Sequence, residues 1–386
     1  MGENMSEAGP FAELPAALVD EVLGRTAEVA GQLLASFSRA KEQRAHLRQQ
    51  LEDADLLLRK TDLGAPLYPT TCATDGSYAI ERLLTTDLVA AAAVAVEGLT
   101  PPSETRHWAY PHHTVFVEAE PHHEGTGTIL RAVMLGRELE LACAAPHDLV
   151  LLDGTLTLPV IYFNQALNAA PYAPELKTAG EFLDHAEHFF SAYRELLTLA
   201  RSDKQIVSLP KYSTRREIGR LLGWPDNQDD RGLLTSVLNP GELTKPLPLE
   251  APAQDWHFST SSLKGELRGR IDALGEEIVA ALSRVHVFYY KPQSWLPALR
   301  VEVAASVASN PHRLGVVVQG LEMQCATPAM LEPYPNYLAD RTVKALARAL
   351  PAFRQVATQR IAEGFEGDIG EVFFAMHGYR SDSGRK

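Results

Sequence analysis

Two Asp-Gly-hydroxyl tripeptides, Asp75-Gly76-Ser77 and Asp153-Gly154-Thr155, each close a short apolar run. Thr71-Cys72-Ala73-Thr74 precedes the first and Asp148-Leu149-Val150-Leu151-Leu152 the second. An apolar, β-compatible run that stops at Asp-Gly reads as a buried strand delivering a carboxylate to the rim of a sheet. One Asp-Gly alone is an ordinary turn signal. Two such deliveries in one chain point to a shared divalent cation, and carboxylates paired around such an ion point to phosphoryl-transfer chemistry.

Cleaving a phosphodiester needs an activated water and relief of charge on the leaving oxygen, and two divalent ions about 3.5–4 Å apart supply both. Hard ions such as Mg²⁺ and Mn²⁺ take carboxylate oxygens, so this chemistry calls for acids rather than Cys or His. Asp75 would bridge the ions and Asp153 would hold one side. The helical pattern from about Thr128 to Ala145 offers a third acid, Glu138 or Glu140. Glu138 lies four residues from Met134 and three from Leu135 and Leu141, so it shares their apolar face. Glu140 lies roughly 200° away and stands as the alternative. The bland reading of either is a solvated helix glutamate.

The densest basic cluster after the N-terminal arm is Lys211, Arg215, Arg216 and Arg220. Lys211 follows a short strand, Gln205–Leu209, and would point at the scissile phosphate, with Arg215 and Arg216 on the backbone. A solvated helix face is the competing reading of the arginines. Lys291 and Arg300 are weaker candidates for the same groove. Tyr289-Tyr290 offers rings for stacking on bases, or one core and one exposed tyrosine. His107, His112-His113 and His122-His123 cluster around one strand, but neighbours on a strand face opposite ways and chelate poorly together.

The elements that must position these groups follow in order. Residues from about Phe11 to Lys60 read as helix, with Leu18, Val22, Val29, Leu33, Phe37, Leu47 and Leu51 at helical spacing. This amphipathic arm would pack on the body or on a second subunit. Strands are expected at residues 71–75, 85–97 and 113–118, then the helix bearing Glu138, then the strand ending at Asp153. This β-β-β-α-β order, with an acid ending the first strand and another ending the strand after the helix, is the core of the ribonuclease-H-like α/β fold. In that fold a fourth acid comes from a late helix, and Asp340 is the best candidate, near the start of a helix whose N-terminus favours an anion. Further on, a helix spans Thr178–Arg201, another starts near Ser213 or Thr214, and strands fall at residues 285–291, 300–303 and within 314–323. Residues 223–262, rich in Pro, Asp, Asn and Ser, read as an irregular insertion. The expected organisation is an N-terminal helical arm over residues 1–66, a ribonuclease-H-like domain over 67–350, and a C-terminal helical segment and polar tail over 351–386.

The 386 residues, 45% of them hydrophobic, allow a sizeable core. The apolar stretch from Leu88 to Val96 is too short to span a bilayer, and the N-terminus lacks a basic segment followed by an apolar one. Three scattered cysteines, Cys72, Cys143 and Cys325, argue against a disulfide framework and for a reducing, cytoplasmic setting. A net charge of −13 speaks against a passive nucleic-acid binder, yet leaves room for an enzyme that gathers its cations in one groove.

Six segments, in order across most of the chain, give the sequence its resemblance to a family: Thr74-Asp75-Gly76-Ser77; Arg137-Glu138-Leu139-Glu140; Leu151-Leu152-Asp153-Gly154-Thr155-Leu156; Leu209-Pro210-Lys211 with Ser213-Thr214-Arg215; Tyr289-Tyr290-Lys291 with Arg300-Val301-Glu302; and Tyr334-Pro335 leading to Ala339-Asp340-Arg341. The chain resembles the NurA-domain nucleases, which work with HerA-type hexameric DNA translocases. The resemblance implies a homodimer and Mn²⁺- or Mg²⁺-dependent DNA cleavage, 5′ to 3′ from ends and within single strands, in double-strand-break end resection. It implies Asp75, Asp153 and a helix glutamate as metal ligands, with Asp340 where archaeal members often carry His, and a nearby tyrosine, Tyr334 or Tyr337. Two rival readings remain: a dimeric DNA-end or translocase adaptor with a degenerate site, and a ribonuclease-H-like transposase or integrase.

Overall fold

The strand that begins at Thr71 does not stop at Asp75-Gly76. It runs on to Arg82, paired at every step with the strand Asp87–Glu97, Asp75 opposite Val94 and Gly76 opposite Ala93. The first Asp-Gly is therefore mid-strand, which corrects the expectation that it closes one. The second behaves as expected: the strand Leu149–Asp153 ends there and Gly154 takes φ +88° to turn the chain away.

The computed structural model describes residues 14–252 and 254–378. The helix start expected at Phe11 and the tail after Gly378 lie outside them. The chain divides into two compact units, Met1–Asp55 and Leu56–Lys386. The described part of the first holds helices α1 (Ala16–Gly24) and α2 (Thr26–Asp53), two helices where one is expected. Leu18, Val22, Val29 and Leu33 of the amphipathic stripe are exposed.

The second unit holds strands β1 (Leu57–Arg59), β2 (Thr71–Arg82), β3 (Asp87–Glu97), β4 (His112–Glu120), β5 (Leu149–Asp153), β6 (Gln205–Leu209), β7 (Glu242–Thr244), β8 (Leu247–Pro248), β9 (His286–Lys291) and β10 (Leu299–Val303). Its helices are α3 (Thr126–Ala144), α4 (Leu158–Ala169), α5 (Lys177–Thr198), α6 (Glu217–Leu222), α7 (Asp230–Val237), α8 (Gly265–Leu282), α9 (Ala305–Ala308), α10 (Pro311–Gln324), α11 (Tyr334–Val343), α12 (Ala345–Gly364) and α13 (Ile369–Ala375). The expected β-β-β-α-β order is thus present as β2-β3-β4-α3-β5. One mixed sheet runs β1-β7-β9-β10-β6-β5-β2-β3-β4, with β8 paired to β9. β5 lies parallel to both β2 and β6, and the other pairs are antiparallel.

Helices cover both faces at the centre. Gly76 and Ile80 of β2 face α3, whereas Ala79 and Glu81 face α12, and Thr71 faces α10. This double cover explains why β3 is buried at nearly every position and shows little alternation in sequence. α5 packs behind α3, with Phe189 against Gly136 and Arg137, while its buried Phe182 and Phe190 meet Phe163 of α4. Gly136 of α3 lets that ring layer approach: a Cβ there would lie 2.2 Å from Phe189 Cγ.

Two further expectations change. Residues 314–323 form a helix, α10, not a strand. Leu314, Val317, Val318 and Leu321 are buried at i, i+3, i+4, i+7, Pro311 opens the helix, and Asn310 Oδ1 caps it by accepting from the His312 and Arg313 amides. Residues 223–262 are not wholly irregular. They carry α7 and β8, and β7 joins β1 to β9 within the sheet. Among the described residues, no helix is long and apolar enough to cross a membrane.

Candidate metal centre

Asp75 and Asp153 meet because β2 and β5 are parallel neighbours in matched register. Thr74 pairs with Leu152, and the two aspartates occupy the next step, where β5 stops. Side chains at the same step of parallel neighbours share a face. That face is the one α11 packs on, and α11 brings Asp340. Asp75, Asp153 and Asp340 each place a carboxylate oxygen within 4.8 Å of the others, and among the described residues this is the group of His, Cys, Asp or Glu side chains so gathered. Each strand aspartate also accepts from the amide of its own glycine: Gly76 N–H to Asp75 Oδ1 at 2.8 Å and Gly154 N–H to Asp153 Oδ1 at 2.9 Å.

Glu138 arrives from the other layer. It sits on α3, 5% exposed, and its Oε2 lies 3.4 Å from where a Gly76 Cβ would be, while Met134 Cγ lies 2.7 Å from that point. Gly76 is thus required by close approach, not by a turn. Glu140 points elsewhere and pairs with Arg137 at 3.5 Å. Of the two helix acids, Glu138 is the one beside the cluster.

The electrostatics mark a site short of positive charge. Burial, then repulsion from Asp153 and Asp340, pushes the Asp75 carboxyl up to about 7. Burial, then Asp75 and Asp153, holds Glu138 well above the usual glutamate range. The chain's own cation here is Lys211, two residues past β6. Its Nζ lies 2.9 Å from Asp153, 3.0 Å from Glu332 and 3.8 Å from Asp340. Burial would lower its pKa, but Asp153 and Glu332 more than reverse this and raise it. Lys344 pairs with Asp340 from the solvent side at 2.7 Å. A set of hard oxygen donors with raised pKa values fits a divalent cation of the Mg²⁺ or Mn²⁺ class.

Several expected contacts fall out differently. Asp340 lies in the second turn of α11, past the helix start, so its setting is the two lysines rather than a helix N-terminus. Arg300 is 1% exposed. Its guanidinium donates to both Glu217 oxygens at 2.7 and 2.8 Å and to Glu302 at 3.1 Å, so it is a core ion pair and not a DNA contact. Lys291 is buried, with its ammonium on the Thr235 carbonyl. Tyr289 and Tyr290 are both buried, which removes them from base stacking. Arg216 ties down residues 224–226 through the Trp224 and Pro225 carbonyls and Asp226. Neither Ser213 nor Thr214 caps α6, which starts at Glu217. Arg215 and Tyr334 are half-buried, and Arg220 pairs with Glu250 at 2.5 Å.

Three residues of the site carried little signal in the sequence. Glu332 holds Lys211 from the turn before α11, and its signal is an acid just ahead of Pro333-Tyr334. Arg231 holds the Lys211 carbonyl and donates to Ala298 O. Glu302, buried in β10, accepts from Thr155 Oγ1 at 2.7 Å and Leu156 N–H at 2.9 Å, and so anchors the turn after Asp153. A cavity of about 200 Å³ opens beside Lys211, lined by Tyr212, Arg231, Glu332 and Asn336.

No protein-family model matches the sequence, and no curated protein does. Solved structures match by fold. The NurA nuclease from Sulfolobus solfataricus is 12% identical at TM-score 0.56, covering 92% of this chain and 99% of that one. A second NurA structure is 13% identical at TM-score 0.52, over 89% and 98%. A NurA structure with manganese is 14% identical at TM-score 0.51, over 89% and 99%. The fold of this chain is NurA-like.

Proposed function

We propose that this protein is a metal-dependent DNA nuclease that hydrolyses phosphodiesters at a two-ion site. The observation that carries this reading is the meeting of Asp75, Asp153 and Asp340 from two parallel strands and a late helix, with Glu138 behind them. Asp75, Asp153, Asp340 and Glu138 would hold Mn²⁺ or Mg²⁺. Such ions supply an activated water and stabilise the leaving oxygen. Lys211 brings positive charge to the same point and would bind a non-bridging oxygen of the scissile phosphate, with Arg215 and Tyr334 along the strand.

The likeness to NurA structures, one of which holds manganese, and the ordered sequence segments support the finer assignment. On it, the protein degrades DNA 5′ to 3′ from ends and cuts single strands, acts as a homodimer, and resects double-strand breaks with a HerA-type hexameric ATPase. The retained acids favour an active enzyme over a degenerate adaptor.

The test is purified protein with end-labelled linear DNA and single-stranded DNA, with Mn²⁺ or Mg²⁺, beside Asp75→Asn. Cleavage that needs the ion and falls at least about 10³-fold in the variant supports the reading. Cleavage indifferent to Asp75, or none with either ion, sinks it. Co-elution with a hexameric ATPase tests the partnership.

A further inference from the structure

Arg131 of α3 is held between two phenols. Its guanidinium donates to Tyr78 Oη on β2 and to Tyr162 Oη on α4, and lies over both rings, 5.1 and 4.6 Å from their centroids. All three residues are half-buried. Among the described residues no carboxylate pairs with Arg131, and the groups that act on its charge are the two tyrosines. Three other arginines of the sequence's basic candidates have carboxylate partners: Arg216 has Asp226, Arg220 has Glu250, and Arg300 has Glu217 and Glu302. Taking a cation partly out of water costs free energy unless an anion compensates, and this chain, at net charge −13, supplies none here.

The position is as informative as the charge. Arg131 and Glu138 are seven residues apart on α3, so they share a face and stand about 10.5 Å apart along its axis. Tyr78 and Gly76 share a face of β2, and Gly76 lies under Glu138. The Arg131 group therefore continues the seam between β2 and α3 that leads away from the acids.

Its donors suit an anion with several oxygens. Two guanidinium N–H groups go to the tyrosines and the rest of the fork is uncommitted. Each phenol oxygen that accepts from arginine keeps its own O–H, polarised by the adjacent cation, as a further donor. A planar fork flanked by two hydroxyls matches a phosphodiester.

We propose that Arg131, Tyr78 and Tyr162 form a clamp for a backbone phosphate of the DNA strand, on the α3 face of β2 about two helical turns from Glu138 and separate from the scissile phosphate. The clamp rests on the nuclease reading for the identity of its ligand.

The test is binding of the full-length protein to a labelled single-stranded oligonucleotide, without divalent ions, across a salt series. Arg131→Met should weaken binding about tenfold at low salt and flatten the slope of log affinity against log salt by about 0.7, the signature of one lost phosphate contact. The double variant Tyr78→Phe with Tyr162→Phe keeps the rings and the cation. It should lose affinity with the slope unchanged. Unaltered slope and affinity in a folded Arg131→Met overturn the clamp. If that variant does not fold, unaltered affinity in the tyrosine double variant overturns it. Wild-type protein that cleaves with Mn²⁺ while Arg131→Met keeps its slope sinks the clamp alone. Wild-type protein that binds with the expected Arg131 dependence but never cleaves sinks the nuclease reading and leaves the clamp.

Discussion

The Lys211 ammonium lies 2.9 Å from the Asp153 carboxylate, at the place where the carboxylate set calls for a divalent ion. One side chain thus offsets part of the repulsion among the acids and stands in the way of the ion that would offset all of it. Glu332, 3.0 Å from the same ammonium, gives Lys211 a second partner outside the ligand set. Lys211→Met should separate the two roles. Mn²⁺ affinity in the absence of DNA, read by calorimetry, should rise by about tenfold because a like charge is gone. DNA cleavage should fall by about 10²–10³-fold because the phosphate loses its cation. Weaker Mn²⁺ binding would show instead that Lys211 chiefly holds the acids in place.

Asp75 sets a pH dependence whose sign follows from its environment. Its carboxyl is pushed up to about 7 by burial and by Asp153 and Asp340, above the ordinary value of 3.8. Between those pH values the folded protein binds more protons than the unfolded chain, so stability falls as pH rises through the window. Glu138, raised for the same reasons, adds in the same direction. Melting temperature measured in chelator should therefore drop between about pH 4 and 7 by several degrees relative to Asp75→Asn. Mn²⁺ competes with those protons and should stabilise the wild type more at pH 8 than at pH 5.5. Equal stabilisation at both would mean that the ion does not bind these carboxylates.

How far the sequence reveals this site depends on how local each signal is. Asp153 was legible because its strand, its turn and its glycine are contiguous. Asp75 was legible as an acid at the end of an apolar run, but the turn inferred there is absent. The physical demand on Gly76 comes from Met134 and Glu138 on a helix remote in sequence, and no local pattern shows that. Residues 314–323 misread as strand because Val316-Val317-Val318 is strongly β-favouring, while the helical spacing of Leu314, Val317, Val318 and Leu321 and the Asn310 cap decide otherwise. Arg300 misread as surface because a charge in a strand suggests a solvated face. Its acid partner Glu217 lies 83 residues away in the chain. Glu332 had no signal beyond a lone acid before a proline.

The two glycines should respond differently to the same change. Gly76→Ala puts a Cβ 2.7 Å from Met134 Cγ and 3.4 Å from Glu138 Oε2. The helix or its side chains must shift, costing about 1–3 kcal/mol as an overpacked core does, and Glu138 moves with them. Cleavage should fall by about tenfold or more beyond any loss of folded protein. Gly154→Ala meets only Leu158 Cδ2 at an ordinary 3.8 Å but must hold φ +88°, so it should cost about 1 kcal/mol or more through backbone strain. Chemical denaturation beside single-turnover cleavage distinguishes them. Equal activity in Gly76→Ala and wild type would remove close approach of α3 from the account.

Glu302 ties the buried ion pair to the catalytic turn. One oxygen accepts from Arg300 at 3.1 Å, and the other from Thr155 Oγ1 and Leu156 N–H. Glu302→Gln leaves Glu217 as the one carboxylate on Arg300, beside the Tyr289 hydroxyl, and turns one acceptor into a donor facing other donors. Breaking a buried charged network costs about 3–5 kcal/mol. Unfolding in urea should show a loss of that order, with Mn²⁺ affinity of the folded fraction reduced because Asp153 begins the loosened turn. A stability loss with unaltered Mn²⁺ affinity would confine Glu302 to the core.

The helix acid is decided by comparing two residues, Glu138 and Glu140, two positions apart on α3. Glu138 faces the aspartates across Gly76 and is raised well above the ordinary glutamate range, whereas Glu140 pairs with Arg137 on the outer side of the same helix. Glu138→Gln keeps shape and removes charge, and so should lower Mn²⁺ affinity and reduce cleavage by about 10²-fold or more. Removing that buried charge should also make the metal-free protein more stable above pH 7, because repulsion with Asp75 and Asp153 disappears. Glu140→Gln gives up a half-exposed pair worth about 0–1 kcal/mol and should leave cleavage within about twofold of wild type. The opposite ranking, with Glu140→Gln inactive and Glu138→Gln active, would reverse the assignment and require α3 to rotate when the metal binds.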